Sequence, residues 1–505
     1  MDMSRSHAGL AIWSEFMSHN TTTSPSSYRG SDKLILGIVL AVVTFWLFAQ
    51  TTLNIASTMR ADLRISDSLN NISVSITALF SGIFIVVAGG LADRIGRVKI
   101  TYAGLALSIL GSLLIAISPA GTAVFLMAGR IVQGLSAACI MPATLALLKA
   151  YFDGAQRQRA ISFWSIGSWG GSGLCSLFGG LIASSLGWRW IFWMSIIVAL
   201  ISFLLIRGTP ESKEAATRDE PFDWLGLIVF IIAMVALNVV IGQGSSLGWT
   251  SPAVLVLVGT FVLASVIFFR VELSRSNSFV DLALFKNKTF AGATLSNFLL
   301  NGAAGTLIVA LALVQQAAGL SSLQSGLLTA GYLVAILSTI RVGEKLLQKM
   351  GARKPMLYGC IITAVGILLT CCTFLLAWQY LTVAFVGFTL FGIGLGFYAT
   401  PSTDAALSNV PQSKSGSASG LYKMASSLGA AFGVAISAAI FSALSHPGSQ
   451  STPLSELFLG RTDNVTIRFA AAMGLLFNVA LAVIAAIAVI ITVPKDDPGV
   501  AKRAA

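Results

Sequence analysis

The chain has 505 residues, of which 55% are apolar and only 10% charged, and its mean hydropathy is +0.84. Soluble globular chains carry roughly a quarter charged residues, so this composition excludes an ordinary soluble enzyme or binding domain and makes lipid the solvent for most of the chain. The formal net charge of +12 does not call for nucleic acid, because Lys and Arg fall between long apolar runs instead of along one stripe.

In chain order, residues 1–33 are polar, rich in Ser and Thr and without an apolar h-region, and read as a disordered cytoplasmic leader. A spanning helix needs about 20 mostly apolar residues, so stretches free of Asp, Glu, Lys and Arg count the spans. Six single spans follow the leader: 34–59, 68–92, 100–129, 131–148, 160–188 and 190–206. The runs 224–269, 289–340 and 355–403 are each long enough for two helices, with turns expected at Gly242–Pro252, Gln315–Gln324 and Ala377–Tyr380. The runs 424–455 and 469–494 complete a count of fourteen. An even count puts both termini on one side. With that side cytoplasmic, 25 of the 32 Lys and Arg lie inside, five lie outside, and Arg130 and Lys423 lie within spans.

Other chemistries find no support in the residues. The five cysteines sit in apolar stretches without a CxxC, and three histidines, two of them in the leader, supply no metal set. No GxxxxGK[ST] pattern is present, so ATP coupling is not expected. No polar segment is long enough for a soluble catalytic domain, and catalytic groups do not cluster; no enzyme, cofactor or nucleic-acid partner is expected.

Several elements repeat. Gly90-Leu91-Ala92-Asp93-Arg94-Ile95-Gly96-Arg97-Val98-Lys99 follows the second span, and Leu347-Gln348-Lys349-Met350-Gly351-Ala352-Arg353-Lys354 is a degenerate copy shifted by 255 residues. Gln50 and Asn54 in the first span match Asn297 and Asn301 in the ninth at a shift of 247, and Pro142 matches Pro401 at 259. Repeated halves are the mark of secondary transporters. The expected architecture is an all-α polytopic membrane protein of two six-helix bundles, 34–207 and 289–494, joined by a linker with two inserted helices (208–288) and followed by a cytoplasmic tail (495–505).

Residues 90–99, Arg130-Ile131-Val132-Gln133-Gly134 in the fourth span, Gly171 to Gly180 in the fifth and Trp188-Arg189-Trp190-Ile191-Phe192 at the sixth carry a resemblance. Over nearly everything after residue 31 the chain resembles the major facilitator superfamily, in its fourteen-span drug:proton antiporter branch. The resemblance implies a proton-coupled exporter of amphipathic compounds such as quinolones and cationic biocides, working as a monomer in a bacterial cytoplasmic membrane. A proton-coupled exporter of one endogenous metabolite or siderophore keeps the same fold, and a membrane sensor is the alternative outside transport.

The resemblance also distributes roles. Arg130 takes part in proton coupling; the other reading is a structural bond to a backbone carbonyl. Gly90, Asp93, Arg94, Gly96 and Arg97 form a conformational latch, asymmetric because Gln348 stands where the second copy would carry an acid. Gly167, Gly171, Gly179 and Gly180 form the antiporter helix, in which Cys175-Ser176 replaces the usual Gly-Pro. Where many relatives of this branch read D-x-T-x-x-N, this chain has Ala49-Gln50-Thr51-Thr52-Leu53-Asn54, without the carboxylate. Asp404, three residues beyond Pro401, is the best replacement as proton carrier, against a plain pairing with Lys414 or Lys423; Glu344 reads as a salt bridge with Arg341 or Lys345. Gln50, Asn54, Gln133, Asn297, Asn301, Tyr332 and Tyr398 are candidate cavity residues, against simple bonding between helices.

Overall fold

The computed structural model describes residues 28–213, 223–274, 282–320, 327–375, 377–445 and 463–495. The expected leader up to residue 27, most of the outer loop from Ser445 to Thr466, and the tail after residue 495 lie outside them. Among the described residues every regular element is a helix. That follows from the solvent, since helices satisfy their own backbone N–H and C=O groups in lipid.

The first span is α1 (Asp32–Val43), a π-helical turn over Thr44–Ala49, and α2 (Thr52–Leu63). The Ser31 hydroxyl accepts from the Leu34 N–H at its start. The helix α3 (Asp67–Ile95) runs into α4 (Arg97–Ala116) through Gly96 alone, at a φ of +133° that side-chain-bearing residues rarely adopt. Then come α5 (Val124–Tyr151), α6 (Gly154–Ser165), a second π-helical turn over Ile166–Gly170, α7 (Gly171–Ser185) and α8 (Arg189–Ile206). Next, α9 (Trp224–Leu247) and α10 (Pro252–Ser274) pair as a hairpin. The remainder is α11 (Lys288–Gly302), α12 (Gly305–Ala318), α13 (Ala330–Met350), α14 (Arg353–Thr370), α15 (Ala377–Ser408), α16 (Ser415–Ser445) and α17 (Val465–Thr492).

Twelve runs among the described residues are long and apolar enough to span a membrane, and thirteen if α6 and α7, bent by 53° between Cys175 and Leu177, act as one. The expected fourteen would add α13, whose last turns carry Arg341, Glu344, Lys345 and Lys349 and keep it off that count. One expected turn moves. It lies at Cys371–Leu375 and not at Ala377–Tyr380, because Tyr380 is already helical and its hydroxyl donates to the Thr370 carbonyl at 3.0 Å. Thr373 fixes the turn by donating to the Arg468 carbonyl at 2.9 Å.

The helices from α1 to α8 pack on one another, as do those from α11 to α17, and α9 lies against α3 and α16 where the two groups meet. Burial is distributed unevenly along the bundle. One large apolar cluster runs through both groups at the end that carries the basic turns near Arg97, Arg157 and Arg353. At the opposite end each group buries its own: Phe48, Ile55, Met59 and Phe192 in one, Val309, Leu313, Phe388 and Leu475 in the other. The groups share one apolar cluster at this basic end and bury separate clusters at the other.

Small residues allow the closest helix approaches. A β-carbon on Gly366 of α14 would sit 2.6 Å from the Gly387 carbonyl of α15, and one on Gly359 would sit 2.7 Å from Gly394 O. Gly180 has open space around it. Gly366→Leu is therefore expected to lower the apparent Tm of the detergent-solubilised protein and its monodisperse yield, whereas Gly180→Leu leaves both near the parent value. Equal loss in both variants would show that the glycine contacts do not set stability.

Candidate functional site

The side chain of Arg130, two turns into α5, is 1% exposed. Its guanidinium makes five hydrogen bonds: Nε to the Ser73 carbonyl (2.9 Å), Nη2 to the Val74 carbonyl (3.3 Å), and Nη1 to the Ala49 carbonyl (2.8 Å), Thr52 Oγ1 (3.2 Å) and Gln133 Oε1 (3.0 Å). None of the five acceptors is a carboxylate. Ala49, where the acid is missing, takes part through its main chain. A π-helical turn ends at Ala49, with the Gln50 N–H bonding back to the Phe45 carbonyl. In return Thr77 Oγ1 donates to the Arg130 carbonyl at 2.9 Å. Arg130 therefore ties the first, second and fourth spans together, and Gln133, placed on the cavity wall by the sequence, serves as an acceptor inside this cage and donates to Ser112 Oγ (3.4 Å).

At the basic end the latch residues converge on α16. The Asp93 carboxylate accepts the Gly416 N–H on Oδ1 and the Ser417 N–H on Oδ2, both at 2.9 Å, and Arg97 donates to Oδ1 through Nη2 (2.9 Å) and Nε (3.2 Å). An anion on the unsatisfied N–H groups and positive dipole of a helix start is favourable. Gly89 and Gly416 meet backbone to backbone, and Gly90 lies beside Ser417, so the glycines admit the approach. Arg97 also donates to the Gln412 carbonyl (2.6 Å). Arg94 sits in the last turn of α3 and has an interaction of its own.

Asp404, 5% exposed on α15, pairs with neither Lys414 nor Lys423: Arg157 Nε reaches Oδ1 at 3.2 Å and Gln158 Nε2 reaches Oδ2 at 3.4 Å, both from α6. Arg157 Nη2 also donates to Ser408 Oγ at 2.7 Å. Lys149 Nζ bonds the Val410 carbonyl across the same seam. Among the described residues the hydrogen bonds and ion pairs that join α1–α8 to the helices from α11 on through Arg97, Lys149, Arg157, Gln158 and Asp93 lie at this end. Glu344 keeps to its own helix, paired with Arg341 and accepting from Gln348 Nε2 at 3.1 Å.

The fifth span is the other meeting surface. Gly167 packs on Val39, Gly171 on Trp46 and Leu47, and Gly179 on Thr51, so these three hold it to the first span; Gly170 and Gly173 take Leu337 and Leu333 of α13 from the other group. Gly180 makes no close approach. Thr51 Oγ1 donates to the Cys175 carbonyl (3.1 Å) and Asn54 Nδ2 to Cys175 Sγ (3.5 Å), so the departure from Gly-Pro places a cysteine in the seam. Of the remaining candidate cavity residues, Asn54 is exposed and Gln50, Asn301 and Tyr332 are partly so. Asn297 is buried and bonds the Tyr422 carbonyl (3.0 Å) and Ser426 Oγ (2.5 Å), with Asn301 Nδ2 on its Oδ1 (2.8 Å). Tyr398 is buried against Ser296 Oγ (2.6 Å). Asn297 and Tyr398 bond between helices.

Four contributors were not legible in sequence. Glu211, in the linker, caps α4 by accepting the Val98 and Lys99 N–H groups at 2.9 and 3.0 Å, and its burial pushes its carboxyl above the usual value. Arg157 and Gln158 fall between the charge-free runs 131–148 and 160–188, where no pattern singles them out. Lys149 bonds a carbonyl 261 residues away, for which no local signal exists.

The family model of the Major Facilitator Superfamily matches residues 34–277 and 292–505, and the chain belongs to that superfamily of membrane transporters. It is 48% identical over 474 residues to the quinolone resistance protein NorB of Staphylococcus aureus (strain COL), covering 94% of this chain and 98% of the relative, and 52% identical over 423 residues to NorB of strain MRSA252, covering 84% and 91%. Among solved structures, the proton:xylose symporter XylE bound to 6-bromo-6-deoxy-D-glucose superposes with a TM-score of 0.63 at 16% identity over 93% of this chain and 97% of that one. A bacterial homologue of the iron transporter ferroportin in an outward-facing state gives 0.60 at 12% identity over 91% and 98%.

Two outcomes follow. Arg130→Lys replaces a planar fork with a point donor that cannot reach acceptors on three helices; losing even one charged hydrogen bond, about 1.5–3 kcal/mol, should reduce transport roughly tenfold or more at unchanged expression. Unchanged transport would remove the guanidinium from the mechanism. Asp93→Asn keeps the shape and removes the charge from the start of α16, and should raise maleimide labelling of a single cysteine at Ala406, which is buried at the basic end, in a background without the native cysteines. Identical labelling would show that the carboxylate does not hold this end shut.

Proposed function

We propose that this chain is a proton-coupled exporter of amphipathic compounds, quinolones and cationic biocides among them, working as a monomer by alternating access between residues 34–207 and 289–494 across the cytoplasmic membrane. The basic end is cytoplasmic, as the positive-inside rule requires, both termini lie there, and α13 crosses as well to give fourteen spans. The observation that carries the reading is the position of the closure. Among the described residues the polar contacts between the halves lie at the basic end, while the halves bury separate apolar clusters at the other, which supports reading the basic end as the closed one. The relatives named for quinolone resistance supply the substrate class.

Asp404 carries the proton in this reading, with Arg130 relaying the state of the first span to the fourth. Protonating Asp404 removes the charge that holds Arg157 across the seam, which favours opening of the cytoplasmic end. An antiporter needs that direction: the protonated carrier returns inward, releases its proton and exchanges it for drug.

Expression in an efflux-deficient host should lower norfloxacin and ethidium accumulation, and an uncoupler should restore it. Accumulation unaffected by expression would refute export of this class. In everted vesicles, Asp404→Asn should abolish drug-driven proton release at normal protein level; a full signal would move the carrier elsewhere.

A further inference from the structure

Lys423 lies eight residues into α16, about 12 Å along the helix from its start, above the Asp93 contact and well inside the bundle. It is 9% exposed. Among the described residues its ammonium has no hydrogen bond and no carboxylate within ion-pair distance. It rests on aromatic faces, 4.2 Å from the ring centroid of Trp164 on α6 and 5.7 Å from that of Tyr422. Trp164 is fully buried and fixed by its indole N–H, which donates to Thr144 Oγ1 at 3.0 Å. The contact therefore joins the two halves.

The surrounding acids are committed elsewhere. Asp93 on α3 is taken by Arg97 and the start of α16, and Asp404 on α15 by Arg157 and Gln158. The cations on helices packed around α16 or bearing Trp164 add no compensation: Arg94 on α3, Arg130 and Lys149 on α5, Arg157 and Arg159 on α6, Lys288 on α11 and Arg468 on α17. The nearby phenols of Tyr422 and Tyr398 bond to Ser402 and Ser296. A buried ammonium without an anionic partner is costly, and an aromatic face supplies only part of the compensation.

We propose that the Lys423 ammonium occupies an aromatic cation site on Trp164 that a substrate organic cation would otherwise occupy, so that proton and organic cation exclude each other there. When Lys423 gives its proton to water, the neutral amine can move aside and the Trp164 face accepts a flat or quaternary organic cation. When the amine regains a proton, two unit charges in a low-dielectric site repel and the organic cation leaves. Exclusion of this kind couples proton and substrate without an acid in the first span. It rests on the export reading only for its direction; the exclusion itself is a binding equilibrium.

The test uses the purified full-length protein and ethidium, followed by fluorescence polarisation from about pH 6 to about pH 9. Wild type should bind ethidium at least about fivefold more tightly at the upper end of that range than at the lower. Lys423→Met should bind tightly throughout with the pH dependence gone, and Lys423→Arg, which stays charged, should bind weakly throughout. Trp164→Leu should weaken binding at high pH without restoring a slope. A pH slope unchanged in Lys423→Met overturns the proposal, as does tight binding by Lys423→Arg or the absence of ethidium binding in wild type and Lys423→Met alike. If Lys423→Met fails to yield monodisperse protein, Lys423→Arg and Trp164→Leu decide it. A pH-independent ethidium site together with uncoupler-sensitive export in cells would sink this inference and leave the export reading standing.

Discussion

A cation inside a helix bundle in lipid needs acceptors, and this chain supplies main-chain carbonyls where a carboxylate would be the obvious choice. Arg130 takes those of Ser73, Val74 and Ala49, Lys149 that of Val410, Arg468 that of Leu375, and Arg97 that of Gln412 in addition to Asp93. Some of these carbonyls lie beside helix ends, at Val410 and Leu375, and others, at Ser73 and Val74, lie inside α3, where each offers a second lone pair beside its ladder bond. A carbonyl does not titrate, so the arginine contacts do not depend on the protonation of their acceptors.

Carboxylates do titrate, and the two that join the halves, Asp93 and Asp404, sit together at the basic end. The Asp93 contact acts on a helix dipole and the Asp404 contact on a guanidinium, so both weaken when the acid is neutralised. The Gly89–Gly416 approach depends on their holding, because two backbones this close present no side-chain surface to attract each other. Two kinds of contact thus join the halves at this end, the carboxylate contacts of Asp93 and Asp404 and the carbonyl contacts of Arg97 and Lys149, while the carbonyl cage of Arg130 ties three spans within one half.

Much of the fold was legible because lipid imposes one rule over the whole chain. The charge-free runs located most of the described helices, and Gly96, in the motif after the second span, is the turn between α3 and α4. The count was less secure. Charge-free length places a helix at 327–340, yet the charges completing α13 leave its apolarity marginal. The turn near Cys371 was misplaced because Cys371-Cys372-Thr373-Phe374-Leu375 carries no charge, Gly or Pro to mark it. Asp93 was read as a latch and does meet a helix dipole and Arg97. Asp404 was weighed against Lys414 and Lys423, and its partners came instead from α6, more than 240 residues away, because pairing across halves leaves no local periodicity.

That miss has a physical consequence. Lys423 was expected to be neutralised by Asp404 if the acid had no special role, and the structure gives Asp404 to Arg157 instead. The lysine is left against Trp164 as an ammonium with neither an anion nor a carbonyl, the one arrangement among the buried cations described here that departs from the carbonyl rule. The absent aspartate at Ala49 and the unpartnered lysine belong to the same account. With Ala49 contributing only a carbonyl to Arg130, no acid stands between residues 34 and 59 to hold a substrate cation or a proton. A titratable base on an aromatic floor can divide those tasks the other way, presenting a positive charge when protonated and a bare ring when not. Charge scarcity, which first identified lipid as the solvent, thereby also isolates the cation whose state can change.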